Sequence, residues 1–318
     1  MRSCFVAVCV AQGVFPNYTY NVDEMQPITK GIVVSQKTDL IDAACEIADL
    51  LPSGQDMAFT HSILCYVGLP RSRVAGDTFL RRSSQAWLRL QAGMLDEGRG
   101  PVTQCVPYGA LPRLALAYVS TYAVRHRVQD VPIGDSAREF LRIMGMSDDG
   151  HRYASLRKQM HALAACRIQV GWQGRTFNGQ AIERFDAWQK MQDQQRALWP
   201  GELRLSDAFY RSLLDAAVPL DRRALEALKG SALALDIYMW LAHRLHRIEG
   251  AGVTLRWKVL RDQFAQEYQG KDADKDFRKK FLPALKKVLL VYPNARVKQV
   301  EGGVLLQGSP PPISYRGE

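Results

Sequence analysis

The sequence predicts an α+β fold of two tandem winged-helix (helix-turn-helix) domains with a short N-terminal arm. Three observations carry that expectation. At 318 residues the chain exceeds what one hydrophobic core usually organises. Hydrophobic residues at 47% and charged residues at 23% are ordinary for a chain that buries a core along most of its length. A helix, helix, helix, hairpin order occurs twice, with the division near 217–221. The expected limits are 1–75 for an arm with a short helix, partly disordered, 76–219 for the first domain and 220–318 for the second.

Element by element, the first 35 residues show neither helical nor alternating periodicity. Leu40, Ile41, Ala44, Cys45, Ile47 and Ala48 then form one side of a short helix, stopped by Pro52 and Gly54. Phe79–Arg82 and Trp87–Ala92 predict two short strands. Residues 112–127 predict a helix with Pro112 just inside its start and Leu114, Ala117, Tyr118, Thr121 and Val124 at helical spacing. Ser136 with Glu139 three residues on predicts a second helix, closed by Gly145. Asp148 and Asp149 are placed to cap a third, with Leu156, Met160, Leu163 and Ala164 inward. Arg167–Trp172 alternates like a strand, and Leu203–Leu205 is expected to return beside it as a two-stranded wing. The segment between them carries Phe185, Trp188 and Trp199, so local packing is expected there.

The second set begins at Asp221 with a helical region running to Leu245, broken near Gly230. Leu255–Phe264 contains a short helix, and a third helix after Asp272 carries Phe277, Phe281, Ala284, Leu285 and Val288 until Pro293 and Asn294 end it. Pro283 predicts a kink or a fresh start in that helix. Arg296–Val300 and Val304–Gln307 flank Glu301, Gly302 and Gly303 as a hairpin.

Charge narrows the partner. Lys and Arg total 42 against 32 Asp and Glu, a net +10, and residues 61–318 alone hold 39 basic and 25 acidic side chains. A polyanion is the expected ligand of that part of the chain. The six cysteines are scattered with no C-x-x-C pair, which argues against a zinc site or a redox dithiol. No segment approaches the ~20 apolar residues of a membrane span, so a cytoplasmic protein without membrane contact is expected. There is no G-x-x-x-x-G-K-[ST] phosphate loop, no nucleophile elbow and no histidine cluster beside a tyrosine. His243 and His246 share a helix face but lack acidic or cysteine neighbours. No catalytic residue, metal or cofactor is therefore assigned.

The densest basic segment is 251–300, with 12 basic and 5 acidic side chains. On the helix after Asp272, Lys275, Arg278, Lys279, Lys286 and Lys287 lie away from the phenylalanine and leucine stripe. Arginine pairs bidentately with guanine edges whereas lysine more often meets phosphate, so Arg278 is the expected base reader and the lysines the backbone contacts. Arg256 ahead of this helix and Arg296 and Lys298 on the hairpin extend the face. Arg152, Arg157 and Lys158 on the first domain's third helix form a second candidate surface.

At this point the chain resembles the plasmid-encoded RepA family of replication initiators, over about residues 60–313. The resemblance is carried by HSILCYVGLPRS at 61–72, PYGALPRLALAYVSTYAVR at 107–125, IGDS at 133–136 and the long run 198–248 that begins LWPGELRLSDAFYRSLL. It continues in Trp257, Phe264, Tyr268, Phe277, Phe281 and Leu285, then YPNARV and GSPPPI. It implies a protein that binds repeated sites in double-stranded DNA at a plasmid origin, helps open the duplex and brings in the host replication initiator and replicative helicase. A homodimer is among the forms it leaves open. The rival readings are a winged-helix repressor, including of its own gene, and a strand-nicking initiation enzyme.

Overall fold

A computed structural model describes residues 40–83, 86–146, 150–172, 174–186 and 201–313. Residues 1–39 of the expected arm, the Asp148 and Asp149 cap, Trp188 and Trp199 lie outside these residues.

The first described helix is α1 (Leu40–Asp49), close to its expected limits. It is followed by strand β1 (Met57–His61) and the short helix α2 (Ser62–Tyr66). β1 pairs antiparallel with β11 (Ala217–Asp221), from Met57 opposite Asp221 to His61 opposite Ala217, and every residue of β11 is buried. The boundary expected at 219/220 therefore falls inside a strand, and that strand is bonded to residues assigned above to the arm.

β2 (Thr78–Ser83) and β3 (Ala86–Gln91) form the expected hairpin. β7 (Arg167–Trp172) and β8 (Arg175–Gly179) extend it to a four-stranded antiparallel sheet of order β2–β3–β7–β8. This corrects the expected wing, in which 167–172 was to pair with 203–205. The reason is cross-strand fit. Trp87 lies opposite Gly171, where an added Cβ would stand 1.9 Å from the indole nitrogen, so only glycine gives the ring room. A small hairpin, β4 (Met94–Asp96) with β5 (Pro101–Thr103), leads into helix α3 (Ala110–His126). α3 buries 13 of its 17 residues, the pattern of a helix enclosed on all sides.

From α3 onward one arrangement occurs twice. The first copy runs α3, β6 (Asp130–Pro132), α4 (Ala137–Ile143), α5 (Gly150–Ala165), β9 (Ile182–Phe185) and β10 (Glu202–Leu205), with sheet order β6–β10–β9. The β7–β8 hairpin is inserted between α5 and β9. Ser136 caps α4, accepting the Glu139 N–H at 3.1 Å, as its spacing predicts. Two helices intervene, α6 (Asp207–Ala216) and α7 (Arg222–Leu228). The second copy runs α8 (Ala232–Arg244), β12 (Val253–Arg256), α9 (Trp257–Phe264), α10 (Ala273–Leu290), β13 (Val297–Val300) and β14 (Gly303–Leu306), with sheet order β12–β14–β13. In each copy the last strand lies in the middle. α10 runs on through Pro283 with no fresh start there; Pro283 is exposed and lacks the N–H that would serve the Lys279 carbonyl.

The two copies meet around one buried ion pair. Arg113 of α3 forks onto Asp236 of α8, Nε to Oδ1 at 2.6 Å and Nη2 to Oδ2 at 2.8 Å. Its remaining N–H groups serve the carbonyls of Leu69 at 2.6 Å, Pro70 at 3.1 Å and Gly109 at 2.6 Å. All five guanidinium donors are thereby satisfied. Gly68 is required beside them, because a Cβ there would approach the Asp236 carboxylate to 2.8 Å. Arg81 of β2, also buried, donates to the carbonyls of Gly68 at 3.1 Å and Leu69 at 3.3 Å. Beyond it the turn after α9 closes on β2. Glu267 pairs with Arg71 and, at 3.6 Å, with Arg81, while Gln266 both accepts the Arg82 N–H at 3.3 Å and donates to the Arg82 carbonyl.

His61 marks a second buried polar point. Its Nδ1 accepts the Ile63 N–H at 3.1 Å and caps α2, so the neutral ring carries its proton on Nε2, facing Ser212 Oγ at 3.1 Å. Burial holds its pKa down to about 4, against an ordinary 6.5.

Two outcomes are expected in urea unfolding. Arg113→Met should cost about 3–5 kcal/mol, as an orphaned buried carboxylate does. Arg113→Met with Asp236→Leu should recover only part of that loss, because the Leu69, Pro70 and Gly109 carbonyls each lose a guanidinium donor, although Leu69 keeps Arg81 and Pro70 keeps the Gly109 N–H. Recovery of wild-type stability in the double variant would show that the ion pair alone matters. For His61, the unfolded ring takes up a proton below pH 6.5 while the folded ring stays neutral to about pH 4. Stability from this group is thus present above pH 6.5 and lost as pH falls to 4, by about 3 kcal/mol. His61→Asn, which retains a capping oxygen, should lose about that much less than wild type between pH 7 and 4, and parallel curves would refute the assignment.

Candidate nucleic-acid interface

α10 is seated by its apolar residues. Phe277, Phe281, Ala284, Leu285 and Val288 are buried, as their spacing predicts. Phe277 and Phe281 pack at a tilt with ring centres 5.2 Å apart, and Phe264 of α9 meets Phe281 at 5.7 Å. That anchoring turns Lys275, Arg278, Lys279, Lys286 and Lys287 outward, where all five are exposed. Lys280 joins them, a residue that sequence reasoning left out although it falls at the same spacing. Asp274 and Asp276 in the first turn suit the positive end of the helix dipole. Arg261 of α9 pairs with Asp274 at 2.9 Å and donates to the Tyr268 carbonyl at 3.2 Å, fixing the turn between α9 and α10.

Two cations of this face have neighbours. Lys279 meets Asp276 at 3.3 Å, a solvent-exposed pair of small worth that leaves the ammonium available. Arg278 lays its guanidinium 5.5 Å from the centre of the Trp257 ring. Arg256 at the end of β12 is exposed, as is Lys258 one residue into α9, also missed from sequence because β12 itself went unread. On the hairpin, Arg296 and Lys298 are both exposed and flank buried Val297, the alternation that a strand imposes. Gly303 lets β14 approach β12, since a Cβ there would lie 2.0 Å from the Leu255 carbonyl oxygen.

The first copy treats its cations differently. Arg152 and Lys158 are exposed on α5, with the Lys158 ammonium 5.7 Å from the Tyr108 ring centre. Arg157 is only partly exposed and is held at 2.7 Å by Glu97, which also meets His161 Nδ1 at 3.1 Å. Across the sheet β6–β10–β9, Arg184 pairs with Glu202 at 2.7 Å and Asp130 at 3.4 Å, and Arg204 pairs with Asp130 at 2.5 Å. Both arginines of this sheet thus have carboxylate neighbours within it.

His243 and His246 do not converge on open space. Arg247 approaches His243 Nε2 at 2.8 Å and donates to His246 Nε2 at 3.2 Å, and burial followed by the Arg247 charge holds both rings below the ordinary histidine pKa. Among the described residues no three His, Cys, Asp or Glu side chains are grouped to hold a metal ion, and no helix is long and apolar enough to cross a membrane.

An α+β chain whose last helix and hairpin turn their cations outward belongs, by its chemistry, with proteins that face a polyanion. Residues 106–259 match the family described as plasmid encoded RepA protein, a match that supports a plasmid RepA-family replication initiator. Among solved structures, it is similar to a selenomethionine crystal structure of domains 2 and 3 of RctB, at 12% identity and TM-score 0.48, over 78% of this chain and 96% of that one. A second structure of RctB domains 2–3 gives 13% identity and TM-score 0.46, over 77% and 94%. No curated protein matches the chain.

Proposed function

We propose that the protein is a non-enzymatic plasmid replication initiator. It binds repeated sites in origin duplex DNA, helps open the duplex there, and brings in the host initiator and replicative helicase. The RepA-family match supports the initiator reading. The twice-occurring helix, strand, helix, helix, two-strand order, with the last strand central, supports two winged-helix units. The first unit runs from α3 to β10 and the second from α8 to β14, so the expected division at 219/220 bounds neither.

One observation carries the choice of DNA and of the reading unit. Cations on α10 and the β13–β14 hairpin face solvent in number, six of them on α10 alone, whereas Arg184 and Arg204 of the first unit's sheet each stand beside carboxylates. A dense set of outward cations displaces the most counterions from phosphate. Arg278 is the base reader, and Lys275, Lys279, Lys286 and Lys287 hold the backbone with Arg256, Arg296 and Lys298. Arg152 and Lys158 supply a weaker second contact, while Arg157 braces α5 against Glu97.

Affinity for origin repeats, measured by gel shift or anisotropy between about 50 and 200 mM salt, should fall steeply, by about 0.9 in log K per log salt for each phosphate contact. A flat profile would overturn the phosphate-contact reading. Arg278→Ala should lose about 1–3 kcal/mol on the cognate repeat and its preference at one base pair. Lys286→Ala should weaken cognate and unrelated DNA alike and reduce the salt slope by about one. Incubation with magnesium or manganese should leave the origin duplex uncut, and protein joined covalently to a nicked strand through tyrosine would replace this reading with an enzymatic one.

A further inference from the structure

Trp257 stands where three parts of the second unit meet. Its indole lies under the guanidinium of Arg278, 5.5 Å from ring centre to Cζ. The same ring meets Phe281, one turn further along α10, edge-on at 6.1 Å, which ties its orientation to the buried side of the helix. Its backbone N–H donates to the Gly302 carbonyl at 3.1 Å, at the tip of the β13–β14 hairpin. Trp257 itself is half-buried, so one face of the ring is covered while it remains next to the exposed Arg278.

An arginine on a helix surface ordinarily samples many rotamers, and ordering it on binding costs affinity and blurs a bidentate contact. A ring under the guanidinium plane removes part of that freedom before DNA arrives and leaves the in-plane N–H fork free to point outward. Lysines 275, 279 and 286 contact phosphate as point charges and need no such support. We infer that Trp257 is a positioning residue for base recognition, which holds the Arg278 fork in a fixed orientation and in register with the hairpin tip.

This inference rests on the assignment of Arg278 as base reader, and the experiment separates the two. Binding is measured for wild type, Trp257→Leu, Trp257→Met, Trp257→Phe, Arg278→Ala and the Trp257→Leu, Arg278→Ala double variant. The probes are duplexes carrying each single base-pair change in the cognate repeat, with unrelated duplex as reference and circular dichroism to establish folding. Trp257→Leu should lower discrimination at the base pair read by Arg278 about two- to fivefold, the worth of one exposed cation–π contact. Affinity for unrelated DNA and the salt slope should stay within about twofold. Trp257→Phe, which keeps an aromatic face, should restore most of the discrimination, and Trp257→Met, apolar without a π face, should not. Trp257→Met decides the question if Trp257→Leu does not fold. In the Arg278→Ala background the loss of Trp257 should change discrimination no further.

If Arg278→Ala abolishes the preference while folded Trp257→Leu or Trp257→Met keeps it, the positioning role is wrong and the base reader stands. Loss of Trp257 that lowers discrimination equally with and without Arg278 also overturns it. If Arg278→Ala keeps the wild-type preference, the assignment of α10 as reader fails first.

Discussion

Arg113 commits all five of its N–H groups in the interior, and the position of the second copy against the first depends on that commitment. Asp236 takes two of them from α8, and the 69–70 loop and Gly109 take the rest. A carboxylate and a guanidinium withdrawn from water are stable only when every lone pair and proton has a partner. The geometry therefore tolerates little displacement. This is the physical content of the GLPR segment at 68–71 and the ALPR segment at 110–113: glycine leaves space for Asp236, the loop carbonyls face inward, and the arginine reads them. Arg81 adds a second buried cation to the same loop, and burial draws its pKa down to about 10, opposed by Asp236 and Glu267.

The contrast between buried and outward cations organises the rest. In the first copy Arg157, Arg184 and Arg204 are paired with Glu97, Glu202 or Asp130. In the second copy the hydrophobic stripe of α10 is continuous enough to seat the helix without help from charge, and its basic residues are left to face outward. A formal net charge of +10 says that a polyanion is favoured but not where; the outward cations of α10 are the basis of the proposed site.

Much of this was legible in the sequence where periodicity was strong. α3, α4 with its Ser136 cap, α10 and the β13–β14 hairpin fall close to their expected limits, and the outward set on α10 follows from the phenylalanine spacing. Strands were harder to read. β1, β6, β11 and β12 have three to five residues each, too few for alternation to declare itself, and β11 contains Pro219. The partner of β7 was misassigned because pairing is a long-range choice. The clue, Trp87 against Gly171, spans more than eighty residues of sequence and has no local signature. The burial of Arg113 and the engagement of Arg157 were hidden for the same reason, since composition treats every arginine alike.

The side chain of Gln266 lies along the outer edge of β2 and meets the N–H and carbonyl of Arg82, as a neighbouring strand would. An edge strand left open is a template for pairing with another chain. β2 also carries Leu80, exposed beside that edge. The α9–α10 turn is thus a protective cover as well as a connection, and it guards the first half of the molecule against self-association. A fragment ending before this turn would leave that edge open and would also remove the α10 residues that pack into the shared core.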